Sequence, residues 1–298
     1  MFLAHKNELQ ENDWMVLPQS NETKTLVKKE SGYELQHNLC LHQGAKLRTG
    51  RGSGTEVTCP YHAWSWDRDG APVSSGTTGH SKGSIKCENS QNIPAMRPSE
   101  WSGFLFETPV QLGIDVAGDY RLEEYRKDTV DVNFIPLINH FLDVDHFPSS
   151  YADLYSQIDI PDAKNVEWRT WQGGSAQLVR GAPGTNAEWN KNLNGPTTYN
   201  AVWLALYPFT MVEWHPGAMF VVVNQPLDEN KTATHIFKYR DHNYNEANWK
   251  INEQVWEAAW KKDCELALML EPGWRFHTNN LDQEKAALKA FIEKSGLV

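Results

Sequence analysis

The chain has 298 residues, of which 40% are hydrophobic, 22% charged and 11% aromatic. That length suits about two domains, and that composition excludes a disordered, collagen-like or disulfide-scaffold protein. Lys and Arg total 28 against 38 Asp and Glu, a formal charge of −10, which argues against nonspecific binding to nucleic acid or to an anionic membrane. No apolar run reaches the roughly 18–20 residues that span a bilayer. The polar segment Met1 to Asn12 has no signal-peptide core. We therefore expect a cytoplasmic protein that binds neither nucleic acid nor membrane.

Trp14–Leu17, Thr25–Lys28, Tyr33–His37 and Thr55–Thr58 read as short strands, with turns at Glu30-Ser31-Gly32 and Arg68-Asp69-Gly70. Trp101–Phe106 reads as a closing strand. Pro109, Gly113 and Gly118 loosen the chain, which sets the expected domains at 1–112 and 113–298. Leu122 to Asp128 is short and charged. Asn133 to Phe147 is a mostly apolar helical stretch. Glu167–Trp171, Ala176–Arg180, Tyr199–Tyr207, Met211–His215, Met219–Asn224 and Ala233–Tyr239 return to strand-like runs. A long helix is expected over Asn245 to Leu270, stopped by Pro272-Gly273, and an amphipathic one over Asp282 to Lys294. Strands followed by helices make an α+β protein.

The chain has four cysteines, too few at this length for a disulfide framework. Cys87 and Cys264 read as ordinary thiols. Cys40 and Cys59 differ, because each has a histidine close behind: Cys40-Leu41-His42 and Cys59-Pro60-Tyr61-His62. Two loops, each supplying a thiolate and an imidazole, can enclose a metal from opposite sides. Zinc accepts such donors, although its sites more often use Cys-x2-Cys and His-x3-5-His halves. His5, His37 and His80 have no partner spacing and read as surface residues.

The pair of loops resembles the [2Fe–2S] motif of Rieske proteins, Cys-x-His and Cys-x2-His. There two cysteines hold one iron and two histidines the other, which raises the potential of this one-electron carrier. Gly44-Ala45 and Cys-Pro-Tyr-His-x-Trp match that pattern, while Ala63 stands where Gly is usual and Gln43 where Arg is frequent. The resemblance implies that Cys40, His42, Cys59 and His62 bind the cluster.

In the second half, Asn139, Asp143 and His146 recur at i, i+4 and i+7 on an otherwise apolar stretch. Such a polar stripe either faces water or is buried with hydrogen bonds or a metal. Asp263 likewise interrupts a stripe of Trp256, Ala259, Trp260, Leu266 and Ala267. A carboxylate there either pairs with Lys261 or Lys262 or meets another cation. These residues resemble the catalytic domain of Rieske non-heme iron oxygenases, α (terminal oxygenase) subunits that carry Asn-x3-Asp-x2-His-x4-His and a distant Asp. The resemblance implies a helix-grip (START/Bet v 1-like) antiparallel-sheet domain with a mononuclear Fe(II). His146 and Asp263 would be two members of a triad of two His and one carboxylate. Asn139 matches, and Asp143 takes the role of linking the iron to the cluster of a neighbouring subunit.

Position 151, where the second iron histidine is expected, is Tyr151. A neutral tyrosine is a poor Fe(II) ligand. On a helix continuing to His146, His140 lies about 120° away from it, which makes His140 a weak substitute. His215, His235, His242 and His277 are further donors that sequence does not place. The resemblance implies an oxygenase component that takes electrons from a ferredoxin or a flavin reductase. It would use O2 to hydroxylate or demethylate a small, largely apolar organic substrate, in a homotrimer or with a homologous subunit. The alternatives are a non-catalytic Rieske subunit that serves a competent homologous one, and a standalone electron carrier.

Overall fold

A computed structural model describes residues 1–75, 91–116, 118–143, 151, 166–180, 199–270, 286 and 293. The first eleven strands are β1 Phe2–His5, β2 Asp13–Val16, β3 Lys24–Lys29, β4 Gly32–His37, β5 Arg51–Ser53, β6 Glu56–Thr58, β7 Trp64–Asp67, β8 Pro72–Ser75, β9 Ala95–Met96, β10 Ser99–Trp101 and β11 Phe104–Phe106. They form three small sheets, in the orders β1-β11-β10, β5-β2-β3-β4-β9 and β6-β7-β8. The expected closing strand is therefore a hairpin, β10–β11. It turns at Ser102-Gly103, where both residues have positive φ. Gly70 closes the turn after β7, donating to Asp67 O while Asp67 Oδ1 accepts from Asp69 N and Ala71 N.

The second half holds one seven-stranded antiparallel sheet: β12 Tyr120–Val130, β13 Val166–Trp171, β14 Gly174–Arg180, β15 Tyr199–Leu206, β16 Thr210–His215, β17 Ala218–Asp228 and β18 Lys231–Asp241. Its order is β12-β18-β17-β16-β15-β14-β13, so β13 to β18 run as a meander and β12 adds to the outside of β18. Every residue from Ala218 to Asn224 is buried, because both faces of the sheet are covered. Met219, Val221 and Val223 face Phe2, Phe104 and Phe106 from the first half. Ala218, Phe220 and Val222 face the helices α1 Phe134–Leu142 and α2 Glu246–Ala267. Strict alternation of two apolar faces is what turns a strand into a continuous hydrophobic run. The expected α+β architecture, a helix laid across a meander, is the one observed.

The charged stretch after residue 120 is a strand of 11 residues. Its periodicity is hidden because the side chains it sends toward α2 are ionic. Glu124 pairs with Lys238 at 2.7 Å, and Arg126 forms a forked pair with Glu257 on α2. Lys238, only 2% exposed, also binds Glu253 at 3.0 Å, and Glu257. The rest of the α2 seat is aromatic, with Phe220 stacked on Trp256 and Trp256 on Trp260.

Two further expectations are revised. The helix from Asn133 ends at Leu142, with Asp143 as an extended C-cap (φ −83°, ψ 110°) donating to Asn139 O. An acidic side chain there meets the negative end of the helix dipole. Gln177 Nε2, on β14, takes up the Leu142 carbonyl at 2.8 Å. Residues 144–150, His146 among them, lie outside the described residues. His5 is buried, not on the surface. Its Nδ1 accepts from Asn7 N, and its ring packs on Phe104. Asp282 to Lys294 is described only at Ala286 and Glu293, both helical. Among the described residues, no helix is long and apolar enough to cross a membrane.

Two predictions follow from this packing. Lys238→Met leaves Glu124, Glu253 and Glu257 facing one another without their shared cation. It should destabilise the chain by about 3 kcal/mol in urea denaturation, and a change below about 1 kcal/mol would show that the network does not hold the helix. His5 and His235 are 1% and 0% exposed, and burial, reinforced by Lys6 and Lys127 respectively, lowers each to about 4. The unfolded chain binds protons at these two sites more readily, so stability should be full above about pH 6.5 and fall as the pH drops toward 4. Denaturant midpoints across that range check the sign, and His235→Gln should flatten the slope.

Candidate metal centres

Two short loops stand at one end of the first half. In the first, Cys40 N donates to Ala45 O at 2.7 Å and Gly44 N donates to Cys40 O at 2.8 Å. In the second, Cys59 N donates to Trp64 O at 2.7 Å and Ala63 N to Cys59 O at 3.0 Å. The two loops therefore share one backbone frame. Its tight point needs positive φ, supplied by Gly44 at 72° and by Ala63 at 58°. A glycine at 63 would adopt that conformation without the strain a Cβ brings, which accounts for the usual residue there.

This frame buries the thiols and presents the imidazoles. Cys40 and Cys59 are 4% and 2% exposed and rest on Leu47, Val57, Trp66 and Ile93. His42 and His62 lie at the exposed tip, ring centroids 4.9 Å apart, with His42 stacked flat on Trp64 at 5.0 Å. Burial pushes the Cys40 thiol up, and Cys59 beside it adds to this, while backbone N–H groups of His42 and Gln43 point at the sulfur and pull it down. Among the described residues, no three His, Cys, Asp or Glu side chains converge on one ion. A tetrahedral zinc needs four donors on one ion. A [2Fe–2S] cluster of the Rieske kind needs thiols at one end and imidazoles at the other, and the paired arrangement fits it.

The second centre lies where α1 and α2 meet. Asp263 is on α2, His140 on α1, and Tyr151 packs between Val179, Ala201 and Trp203. The three side chains converge. Tyr151 OH donates to Asp263 Oδ1, and His140 Nε2 is 3.3 Å from that same oxygen and 3.3 Å from Tyr151 OH. Burial pushes the Asp263 carboxyl up to about 8, the Tyr151 hydrogen bond opposes this, and Glu213 adds to it. The carboxylate pairs with His140 rather than with Lys261 or Lys262. It borders a pocket walled by Phe141, Phe220, Trp256 and Trp260, with Glu213 as the other charged group in the lining.

His146 and His277 lie outside the described residues, as do His80 and Cys87. Asn139 and Asp143 sit at the end of α1, one residue before and three after His140. The remaining histidines are engaged elsewhere: His215 with Glu213, His235 with Tyr125 and Gln225, and His242 with Glu123. Cys264, beside Asp263, is an ordinary thiol pushed up to about 12 by burial. The angle expected between His140 and His146 assumed one continuous helix, whereas the helix that carries His140 ends at Leu142. The signal for His140 was its place between Leu137 and Phe141, apolar residues that both border the pocket. The donors present here, an imidazole, a carboxylate and a phenol, suit iron chemically.

The first centre yields a direct test. Cys59→Ser should remove the visible colour and the reduced-state EPR signal together. A wild-type protein that carries zinc and no inorganic sulfide after anaerobic preparation would rule the cluster out.

Comparison with known proteins places a known domain on the first loops and a known fold on the whole chain. Residues 1–88 match the Rieske [2Fe-2S] domain family. A putrescine 2-hydroxylase of Ralstonia nicotianae is 27% identical over 76% of this chain and 66% of its own length. A carnitine monooxygenase oxygenase subunit of Acinetobacter baumannii is 24% identical over 80% of this chain and 68% of its own. The chain thus spans about two thirds of the length of these relatives. In fold, it is similar to the quaternary ammonium Rieske monooxygenase CntA, with a TM-score of 0.67 and 20% identity over 92% of this chain and 79% of that one. It is also similar to naphthalene 1,2-dioxygenase from Rhodococcus sp., with a TM-score of 0.63 and 15% identity over 99% and 87%. Residues 1–88 are a Rieske [2Fe-2S] domain, and along most of its length the chain is similar to Rieske oxygenase subunits, oxidoreductases that pair such a cluster with a mononuclear iron.

Proposed function

We propose that this chain is the terminal component of an oxygenase acting on a small organic substrate with a largely apolar body and a cationic nitrogen. The observation that carries the reading is a half-buried carboxylate, Asp263, joined by an imidazole and a phenol at the edge of an aromatic pocket. Cys40, Cys59, His42 and His62 would hold the cluster, with the two histidines at the surface where an electron donor can approach. A ferredoxin or a flavin reductase would supply the electrons. The mononuclear iron, when bound, supplies O2 activation.

The chain's own residues would position the substrate. Aromatic faces attract a cation, and Phe220, Trp256 and Trp260 present three stacked rings. Glu213 adds negative charge on the same pocket, held by His215 Nε2 at 2.6 Å. Putrescine and carnitine, in the names of the relatives, both carry cationic nitrogen, which supports the same substrate class. Packed apolar walls would keep bulk water from the reacting face. We also place the chain in a head-to-tail ring of three, with Asp143 and Asn139 at the face toward the neighbour's cluster. Support comes from Tyr61, 64% exposed beside the cluster histidines, and from inter-subunit electron transfer described for a quaternary ammonium Rieske monooxygenase.

The test is turnover of the cluster-loaded protein with reductase, NADH and O2 against a panel of quaternary ammonium compounds, diamines and neutral aromatics. Amines should drive coupled O2 uptake, and Glu213→Gln should raise KM for them about tenfold while changing kcat less. Faster coupled turnover of neutral aromatics would reject the substrate class. Absence of any substrate-dependent uptake, with intact cluster and iron, would reject the oxygenase reading.

A further inference from the structure

We infer that His140 supplies the imidazole that position 151 lacks, so that His140 and Asp263 are two of the donors of the single-ion iron site of this chain, with the Tyr151 oxygen beside them. The inference rests on the oxygenase reading above and departs from the expected ligand pattern at one residue.

Geometry is the first support. Two donors bound at right angles, each about 2.1 Å from an ion, lie about 3 Å apart. His140 Nε2 is 3.3 Å from Asp263 Oδ1 and 3.3 Å from Tyr151 OH, and Tyr151 OH contacts Asp263 Oδ1 directly. The imidazole nitrogen thus keeps to each of the two oxygens about the spacing of neighbouring coordination corners, and it comes from a separate part of the chain.

Elimination is the second. A family iron needs a second nitrogen donor, and Tyr151 occupies its place with an oxygen. His215, His235 and His242 are committed to Glu213, to Tyr125 and Gln225, and to Glu123. Among the described residues, His140 is the imidazole at Asp263.

The third support is what fixes His140 there. Phe134, Leu137, Ile138 and Leu142 are buried and seat α1. Gln177 closes the helix end on the Leu142 carbonyl, and the chain leaves the helix at Asp143. His140 is therefore held in the last turn of a short, anchored helix. Tyr151 OH donates a hydrogen bond to Asp263 Oδ1. For the phenol to bind iron that proton must be released to solvent, whereas a neutral imidazole binds Fe(II) through its lone pair without losing one.

The experiment is anaerobic titration of the cluster-loaded protein with ferrous ammonium sulfate. It is read as iron bound beyond the cluster and as the EPR signal of the ferrous–nitric oxide adduct. Cluster absorbance and thermal midpoint serve as controls for folding. His140→Ala should weaken the added iron on the order of 100-fold or more, and His140→Ala with Tyr151→His should restore it by moving the imidazole to position 151. Wild-type affinity in His140→Ala would overturn the inference. So would an iron absent from wild type that binds in Tyr151→His alone, since the site would then lack its imidazole despite His140. Iron beyond the cluster in none of these proteins would overturn the oxygenase reading itself.

Discussion

The seating of one helix against one sheet decides where the chemistry of this chain can occur. Helix α2 carries Asp263, and nothing within the helix compensates a carboxylate placed among Trp256, Ala259, Trp260 and Ala267. The position of that carboxylate is set by contacts further up the helix. Phe220, Trp256 and Trp260 stack as a row, and Lys238 draws Glu253 and Glu257 of the helix and Glu124 of β12 onto one ammonium. The stack fixes the depth of the helix. The ion pairs fix its rotation, because carboxylates four residues apart on one helical face can both reach Lys238 only in one orientation. A buried ion pair is weak evidence for net stability. Its use here is to select one arrangement of helix and sheet, and so to aim Asp263.

The same sheet joins the two halves of the molecule. Its other face is covered by β1 and the β10–β11 hairpin, so Phe2, Phe104 and Phe106 share a core with Met219, Val221 and Phe237. Polar links reinforce it: Gln225 of β17 donates to Gln19 O, and Tyr239 donates to Glu8 at 2.6 Å. The cluster loops and the Asp263 centre thus belong to one packed body, with the sheet between them. Rigid packing of this kind transmits position rather than absorbing it.

Legibility in the sequence followed the range of the interactions. The two Cys–His loops were readable because all four side chains, and the turns that shape them, fall between Cys40 and Trp64, where local hydrogen bonds complete each loop. The meander was readable because apolar strands separated by turns carry a local pattern. Strand β12 was not, since its inward partners are charges supplied by α2 and β18, more than a hundred residues away. The end of α1 was not readable either. A helical period continues on paper past Asp143, and the group that accepts the chain's departure, Gln177, belongs to another strand. His5 misled for a similar reason: a lone histidine near the N-terminus looks solvated until Phe104, Tyr120 and Tyr239 close around it.

Those failures bear on the second centre, where sequence reasoning set His140 aside by projecting an unbroken helix. A helix that stops at Leu142 removes the geometric objection. It also changes which part of the site is rigid. His140 is carried by an anchored helix, Asp263 by a helix locked onto the sheet, and Tyr151 by packing against Val179, Ala201 and Trp203. Preorganised donors of this kind bind without first being ordered. Tyr151 keeps the carboxylate hydrogen-bonded and so lessens the penalty of burying it. Proton release is required before its oxygen can compete with that role. The imidazole nitrogen of His140 stands 3.3 Å from the Tyr151 oxygen, on a helix whose end at Leu142 sets where that nitrogen lies.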